Sequence, residues 1–173
     1  NKMTILNLKT FLNNTAKKGE LYYYEHTDYH IFTSGKIVYG IRKGSLDEIP
    51  AQYVEELMNA FTGKAKSSIA LDEIITSYKN ENRTHVTNYE NSYIKNHKVV
   101  KVFTDLWNKS NYVIIDRRYK NCCKSINKIF KECFIIDTTI KSKIGSKQVQ
   151  LYFESTLDDN EFIMIMPIEI RKG

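Results

Sequence analysis

The chain is poor in residues that break or cross-link a fold. Its 173 residues include two prolines and three cysteines. So few prolines, with a hydrophobic content of 42%, argue for a folded globular protein rather than a disordered one. An odd number of cysteines behind no signal-like start predicts a cytoplasmic location. Because no apolar run approaches the ~20 residues of a membrane span, we expect no membrane partner.

The sequence also lacks the short motifs of common catalytic chemistry. It has no Gly-x-Ser-x-Gly, no Walker-type glycine loop, no His-Glu-x-x-His and no paired Cys-x-x-Cys. His26 and His30 flank Asp28, but side chains four apart on a strand do not converge on one metal ion. Cys122 and Cys123 are adjacent, which predicts buried structural thiols. We therefore expect a non-catalytic protein with no cofactor and no metal.

Positive charge is what the chain has in excess. A formal net charge of +6 and a pI of about 9.1 favour an anionic partner such as nucleic acid. The stretch from Asp116 to Cys133 predicts a basic helix that begins with Arg117 and Arg118. Four lysines fall on one face of that helix: Lys120, Lys124, Lys128 and Lys131. Apolar residues and cysteines fall on the other face: Tyr119, Cys122, Cys123, Ile126, Ile129, Phe130 and Cys133. A solvated face in a lysine-rich protein is the alternative interpretation.

Hydrophobic periodicity predicts a mixed chain of the α+β class. The predicted helices are 8–18, 45–61 and 116–133, with 67–78 as a further helix or a mixed segment. The stretch 79–96 is predicted as an exposed loop or an extended excursion. The predicted strands are 3–7, 20–26, 29–33, 36–42, 99–105, 112–115, 134–138, 149–154 and 162–170. Asn7 and Asp116 are predicted helix N-caps, and Gly19 is predicted to end the first helix. Trp107, the only tryptophan, fits either the core or a surface anchor.

The order of these elements suggests an internal repeat. Residues 4–7 and 113–116 each read as a short strand that ends in a capping residue. A lysine-bearing amphipathic helix and three strands follow each of them. The sequence therefore predicts one domain made of two β-α-β-β-β halves, at 3–42 and 111–170, with a helical insertion at 43–110.

This organisation resembles a domain of the DNA sliding clamps, the processivity factors of replication. The final Phe162-Ile-Met-Ile-Met-Pro-Ile168 looks like the bacterial clamp ending, in which a last strand reaches a Met-Pro-apolar tail. The resemblance implies that both helices face duplex DNA while the sheets form an outer wall. It also implies that Met166, Pro167 and Ile168 line a pocket for peptides of partner proteins.

We expect from this a non-catalytic protein that binds double-stranded DNA without sequence specificity. The phosphate-facing residues would be Lys9, Lys17, Lys18, Arg117, Lys120, Lys124 and Lys128. One clamp-like domain cannot encircle a duplex alone, so a ring requires a homo-oligomer. The alternative is a small phage interaction protein that binds and inhibits a host replication or defence complex.

Overall fold

The computed structural model describes residues 3–61, 63–64, 69–78, 82–124 and 131–169. Its helices are α1 (Leu8–Asn14), α2 (Ala51–Ala60), α3 (Ile69–Ser77) and α4 (Arg117–Lys120), with 3-10 turns at Ala16–Lys18 and Leu46–Glu48. The strands are β1 (Tyr22–Glu25), β2 (Tyr29–Thr33), β3 (Ile37–Arg42), β4 (Gly63–Lys64), β5 (Asn82–His85), β6 (Asn88–Ile94), β7 (His97–Phe103), β8 (Tyr112–Asp116), β9 (Lys131–Ser142), β10 (Gly145–Thr156) and β11 (Glu161–Ile165). The fold is α+β with mostly antiparallel strands.

An eight-stranded sheet forms the centre of the fold. Its strand order is β4-β1-β2-β3-β11-β10-β9-β5. It contains two antiparallel meanders, β1-β2-β3 and β9-β10-β11. The meanders meet where β3 pairs with β11 in the antiparallel direction, and there Tyr39 lies opposite Ile163. Each meander follows a helix in the chain, α1 for the first and α4 for the second.

The two faces of the large sheet bury different helices because alternate strand residues point to opposite sides. On one face, side chains such as Phe32, Tyr39 and Ile163 pack with residues of α1, α2 and α4. On the other face, Ile31, Phe153 and their neighbours pack against α3. Therefore α1 and α4 lie on the same side of the sheet.

A second sheet of three strands, β6-β7-β8, packs on the face that carries α1 and α4. Its inward side chains include Val100, Val102 and Ile115. After β11 the chain leaves the large sheet, and the Ile168 N–H donates to the carbonyl of Ile114 on β8 at 2.8 Å. The residues after β11 thus connect the two sheets.

Three predicted helix ends are confirmed. The Asn7 side chain accepts a hydrogen bond from the Thr10 N–H at the start of α1. Asp116 accepts one from the Arg118 N–H at the start of α4. Gly19 takes the left-handed conformation, with φ 69°, after the 3-10 turn that follows α1.

The predicted basic helix from Asp116 to Cys133 is wrong in its extent. Helix α4 ends at Lys120, and Cys123 forms an isolated antiparallel bridge with Leu6. The chain from Lys131 onward belongs to β9, which pairs with β10 along twelve residues. Backbone pairing with distant strands therefore overrides the local 3.6-residue pattern. Lys128 and the predicted core residues Ile126, Ile129 and Phe130 lie outside the described residues.

The predicted helical insertion at 43–110 is only partly helical. It contains α2 and α3, but it continues into β5, β6 and β7. Most of the predicted loop at 79–96 is strand where it is described. Lys95 and Asn96 both have positive φ, as in the tight turns that suit β-hairpins, and they join β6 to β7. The last strand ends at Ile165, so Pro167 lies beyond it and not within it.

Candidate nucleic-acid interface

Helix α1 and the segment from Arg117 to Lys124 run side by side in opposite directions. At one end, the Asn7 N–H donates to the Cys122 carbonyl and the Lys124 N–H donates to the Ile5 carbonyl, each at 2.7 Å. At the other end, the Asn14 side-chain amide donates to the Arg118 carbonyl at 3.5 Å. The structure therefore brings together the two cationic segments that the sequence places more than a hundred residues apart.

Several predicted phosphate ligands lie exposed along this pair of segments. Lys9 is exposed on α1, and Lys17 and Lys18 are exposed in the 3-10 turn that follows it. Arg118 on α4, which was not among the predicted phosphate ligands, is also exposed. Lys124 is partly buried beyond α4, and its ammonium lies 5.3 Å from the Tyr53 ring centroid. We call the four exposed cations Lys9, Lys17, Lys18 and Arg118 the basic surface.

Carboxylates offset part of this charge. Asp116 forms an ion pair with Arg118 at 2.7 Å. Burial acts to raise the pKa of Asp116, but the hydrogen bonds and charge of Arg118 outweigh it and lower that pKa. Asp116 therefore stays ionised at neutral pH, and it fixes the guanidinium of Arg118 at the start of α4.

Arg117 and Lys120, two of the predicted phosphate ligands, are turned toward β6. Arg117 donates to the carbonyls of Ser92 and Val99 at 2.7–3.3 Å, and its guanidinium lies 5.2 Å from the Tyr93 ring centroid. The Lys120 ammonium lies 4.7 Å from the Tyr89 ring centroid. These contacts hold both cations against the small sheet, so we leave them out of the basic surface.

A buried polar network lies beneath α4. Glu154 is fully buried on β10, where Tyr152 donates to its carboxylate at 2.6 Å and the Lys131 ammonium lies 3.2 Å away. The Tyr152 hydroxyl is in turn 3.1 Å from that of Tyr89 on β6. Burial first, and then Glu154, raises the pKa of Tyr152 well above its usual range. The network links the two sheets through groups that are neutral or paired.

The environment of the three thiols, Cys122, Cys123 and Cys133, disfavours the reactive thiolate form. Burial raises the pKa of Cys122 to about 12, and it raises the pKa of Cys123 and of Cys133 as well. A thiol that stays protonated at neutral pH is a poor nucleophile and a poor metal ligand. Cys122 and Cys123 are buried, as the sequence predicted.

The opposite face of the large sheet has a different electrostatic character. A cleft of about 1050 Å³ lies between α3, β5 and the β9-β10 hairpin. Its lining includes the carboxylates of Asp72, Glu73 and Asp137, with one lysine, Lys141. Such a surface repels phosphate, so the cleft is a poor site for nucleic acid. Within the described ranges, no three His, Cys, Asp or Glu side chains group together in a way that could hold a metal ion.

The predicted partner-binding residues follow β11. Met166 packs against the core on the α3 side, and its N–H donates to the Lys36 carbonyl at 2.9 Å. Pro167 and Ile168 are partly buried, and Ile168 bonds to β8 through its backbone. The three residues therefore run from the large sheet to the small one.

The sequence predicted strands at 99–105 and 112–115 and a possible surface role for Trp107, but it missed β6, the third strand of the small sheet. Trp107 is 93% exposed in the loop between β7 and β8, and Tyr93 is 63% exposed on β6. The signal that could have revealed β6 is the alternation of Tyr89, Asn91 and Tyr93, followed by Asn96 in a two-residue turn. The high polarity of this stretch obscured that pattern.

Comparison of the chain with protein-family models, curated proteins and solved structures gives no match. Among the described residues, none of the helices has the length and apolarity that a membrane crossing requires. Function is therefore inferred from geometry and charge.

Proposed function

We propose that this chain is a non-catalytic DNA-associated protein that binds duplex phosphates through the basic surface. The observation that carries the proposal is the antiparallel contact between α1 and the segment that begins with α4. Through this contact the segments that carry the exposed cations Lys9, Lys17, Lys18 and Arg118 lie side by side. A net charge of +6 supports an anionic partner.

Binding of this kind is nonspecific in sequence. Lysine and arginine on the basic surface contact phosphates, which position a protein on the duplex but carry no base information. Helix α4 has four residues, too few to place a recognition helix in the major groove. We therefore expect affinity that falls steeply with salt and varies little with sequence.

We further propose that the chain resembles a sliding-clamp domain in organisation. Two meanders that meet at β3 and β11, each preceded by a helix, support this resemblance. Both helices lie on one face of the large sheet, as the duplex-facing helices of a clamp do. In such an assembly several copies would form the ring, and Met166, Pro167 and Ile168 would contact replication proteins.

The test is a charge reversal within the basic surface. Lys17→Glu with Lys18→Glu removes two exposed cations and adds two anions beside Arg118. We expect weaker binding to a random-sequence duplex in fluorescence anisotropy. Each lost phosphate contact reduces the magnitude of the slope of log K against log salt by about 0.9. The magnitude of the slope should therefore decrease by up to about 2. Circular dichroism establishes that the fold is intact.

The matched control is Lys141→Glu with Lys143→Glu, which makes the same change in net charge at exposed positions. Lys131, at the start of β9, lies near the segment that contains α4. Lys141 lies ten residues further along the same strand, which places it about 33 Å from Lys131. We expect this variant to keep most of the affinity and the full salt slope. Equal losses in both variants, or no duplex binding by the parent protein, would contradict the proposal.

A further inference from the structure

Exposed aromatic side chains are concentrated in one stretch of the chain. Among the described residues, five aromatic side chains are at least 36% exposed: Tyr22, Tyr89, Tyr93, Trp107 and Tyr112. All but Tyr22 belong to the stretch 88–120, which forms the small sheet, its loop and α4. Tyr89 and Tyr93 lie on the face of the small sheet that carries Val102, whereas Tyr112 lies opposite Phe103 on the other face, next to the loop of Trp107.

The same stretch has an excess of positive over negative charge. Residues 88–120 contain seven Lys or Arg residues and three Asp or Glu residues, a net charge of +4 out of the chain's +6. Exposed rings among cations are the chemistry that binds single-stranded nucleic acid, in which bases stack on rings and phosphates contact lysine or arginine. An apolar groove of a protein partner would not require this charge.

The loop from Thr104 to Asn111 holds its apolar residues out to solvent. The Asp105 side chain accepts a hydrogen bond from the Trp107 N–H at 2.9 Å, and the Asn108 side chain accepts one from the Ser110 N–H at 3.2 Å. These bonds shape the backbone while Trp107 remains 93% exposed and Leu106 remains 65% exposed. The indole therefore offers both of its faces to a ligand.

The Tyr112 ring, with the Lys101 ammonium beside it, lies at the start of β8, immediately after this loop. Tyr112 packs edge-on against Phe103, with ring centroids 5.7 Å apart. The Lys101 ammonium lies 4.6 Å from the Tyr112 ring centroid. Lys101 is thus held beside a partly exposed ring, where a phosphate next to a stacked base would meet a positive charge.

We propose that Trp107, Tyr112 and Lys101 form a stacking site for unpaired bases of single-stranded nucleic acid. The inference rests on the proposed nucleic-acid function and adds single strands to its substrates. Trp107 stacks on a base, Tyr112 supports a neighbouring base, and Lys101 contacts the phosphate between them. Because every base has an aromatic face, the site does not select a sequence.

The chain itself supplies the probe, because Trp107 is its only tryptophan. We expect titration with a single-stranded oligothymidine to quench the tryptophan fluorescence and a blunt duplex of the same length to leave it nearly unchanged. Trp107→Ala should weaken oligothymidine binding, measured by anisotropy, by roughly 5- to 150-fold, the range that base stacking on aromatic residues supports. Trp107→Phe should restore part of that loss.

Tyr22→Ala is the matched control, since it removes an exposed aromatic side chain from β1 of the large sheet. It should leave the affinity for oligothymidine unchanged. Duplex binding separates this inference from the function on which it rests. Suppose that the duplex binds, but that oligothymidine does not quench Trp107 and binds the Trp107→Ala protein as tightly as the parent. The stacking site is then refuted, and the proposed duplex binding stands. If neither nucleic acid binds, the proposed function fails with it.

Discussion

Gly40 shows how a single residue constrains the joint between the two meanders. It lies opposite Phe162 where β3 pairs with β11, and the aromatic ring covers it. A Cβ atom at Gly40 would lie 2.2 Å from the Phe162 ring. Gly40→Ala should therefore lower the free energy of unfolding in urea by about 1–3 kcal/mol, because the ring must move out of a packed site.

Gly63 provides the comparison for Gly40. A Cβ atom there would meet only the Tyr22 ring at 3.8 Å, an ordinary contact. Gly63→Ala should change the free energy of unfolding by no more than about 0.5 kcal/mol. A Gly40→Ala protein as stable as Gly63→Ala would show that Phe162 does not pack over Gly40.

Glu161 is a buried carboxyl group that ties the N-terminal segment to the large sheet. Its oxygens accept hydrogen bonds from the Thr4 hydroxyl, from the Tyr39 hydroxyl at 2.6 Å and from the Ile5 N–H at 3.4 Å. Burial raises its pKa from about 4.5, although the three hydrogen bonds oppose that shift. The native state thus binds the proton more tightly than the unfolded chain does.

This raised pKa predicts a pH dependence of stability. The protonated carboxyl contributes stability that is fully present below about pH 4.5 and is lost as pH rises through the folded pKa. Glu161→Gln cannot ionise, so its free energy of unfolding should vary less over that window than that of the parent protein. The exposed Glu55→Gln serves as control and should keep the parent profile. Parallel profiles for the parent and Glu161→Gln proteins would rule out the raised pKa.

At the scale of elements, Arg117 joins α4 to the hairpin of β6 and β7. It donates to carbonyls on both strands, Ser92 on β6 and Val99 on β7. Lysine cannot reproduce this forked geometry. Arg117→Lys should therefore lower the free energy of unfolding by about 1–3 kcal/mol, since hydrogen bonds of a charged donor are lost in a partly buried site.

The same substitution separates the hydrogen-bonding role of Arg117 from its charge. Lysine keeps the charge, so duplex affinity should stay unchanged under conditions in which the variant is folded. Arg118→Lys, at an exposed position on the same helix, should have the smaller effect on stability. If Arg117→Lys weakened duplex binding while leaving stability intact, Arg117 would belong to the basic surface after all.

The contrast between α1 and α4 shows which elements the sequence could predict. For α1, the cap at Asn7, the apolar stripe and Gly19 all indicate the same helix, and the structure has it over Leu8–Asn14 with a 3-10 turn after it. For α4, the cap at Asp116 was predicted, but the end at Lys120 was not. Residues 122–124 bond to the backbone of residues 5–7, and that partner lies too far along the chain for a local pattern to reveal it.

The same reasoning applies to the candidate site. The sequence identified Lys9, Lys17 and Lys18 as cations on an amphipathic helix and its end, and the structure places them near α4. It could not show that Arg117 and Lys120 turn to β6, because the tyrosines they contact belong to a strand that the sequence did not predict. The side of a helix that a cation occupies depends on its tertiary neighbours.

At the scale of the whole molecule, the proposed clamp organisation requires more than one copy of the chain. One clamp-like domain of 20.3 kDa cannot encircle a duplex alone, so a ring needs several copies. We expect light scattering at physiological salt to give the native mass of an oligomer, at least twice the 20.3 kDa of one chain, whereas the mass of a single chain would contradict the ring. Closed rings are symmetric, so the mass should be the same over a range of protein concentrations.

Retention on DNA separates a ring from an open basic surface. A closed ring leaves DNA only at an end, so high salt should release the protein from linear plasmid but not from the nicked circular form. Phosphate contacts alone give release from both forms, because salt displaces them regardless of topology. A monomer that dissociates equally from the linear and the nicked circular plasmid would rule out the ring but would remain consistent with nonspecific duplex binding. A monomer that binds neither form would favour the alternative of a small protein that acts on a host complex.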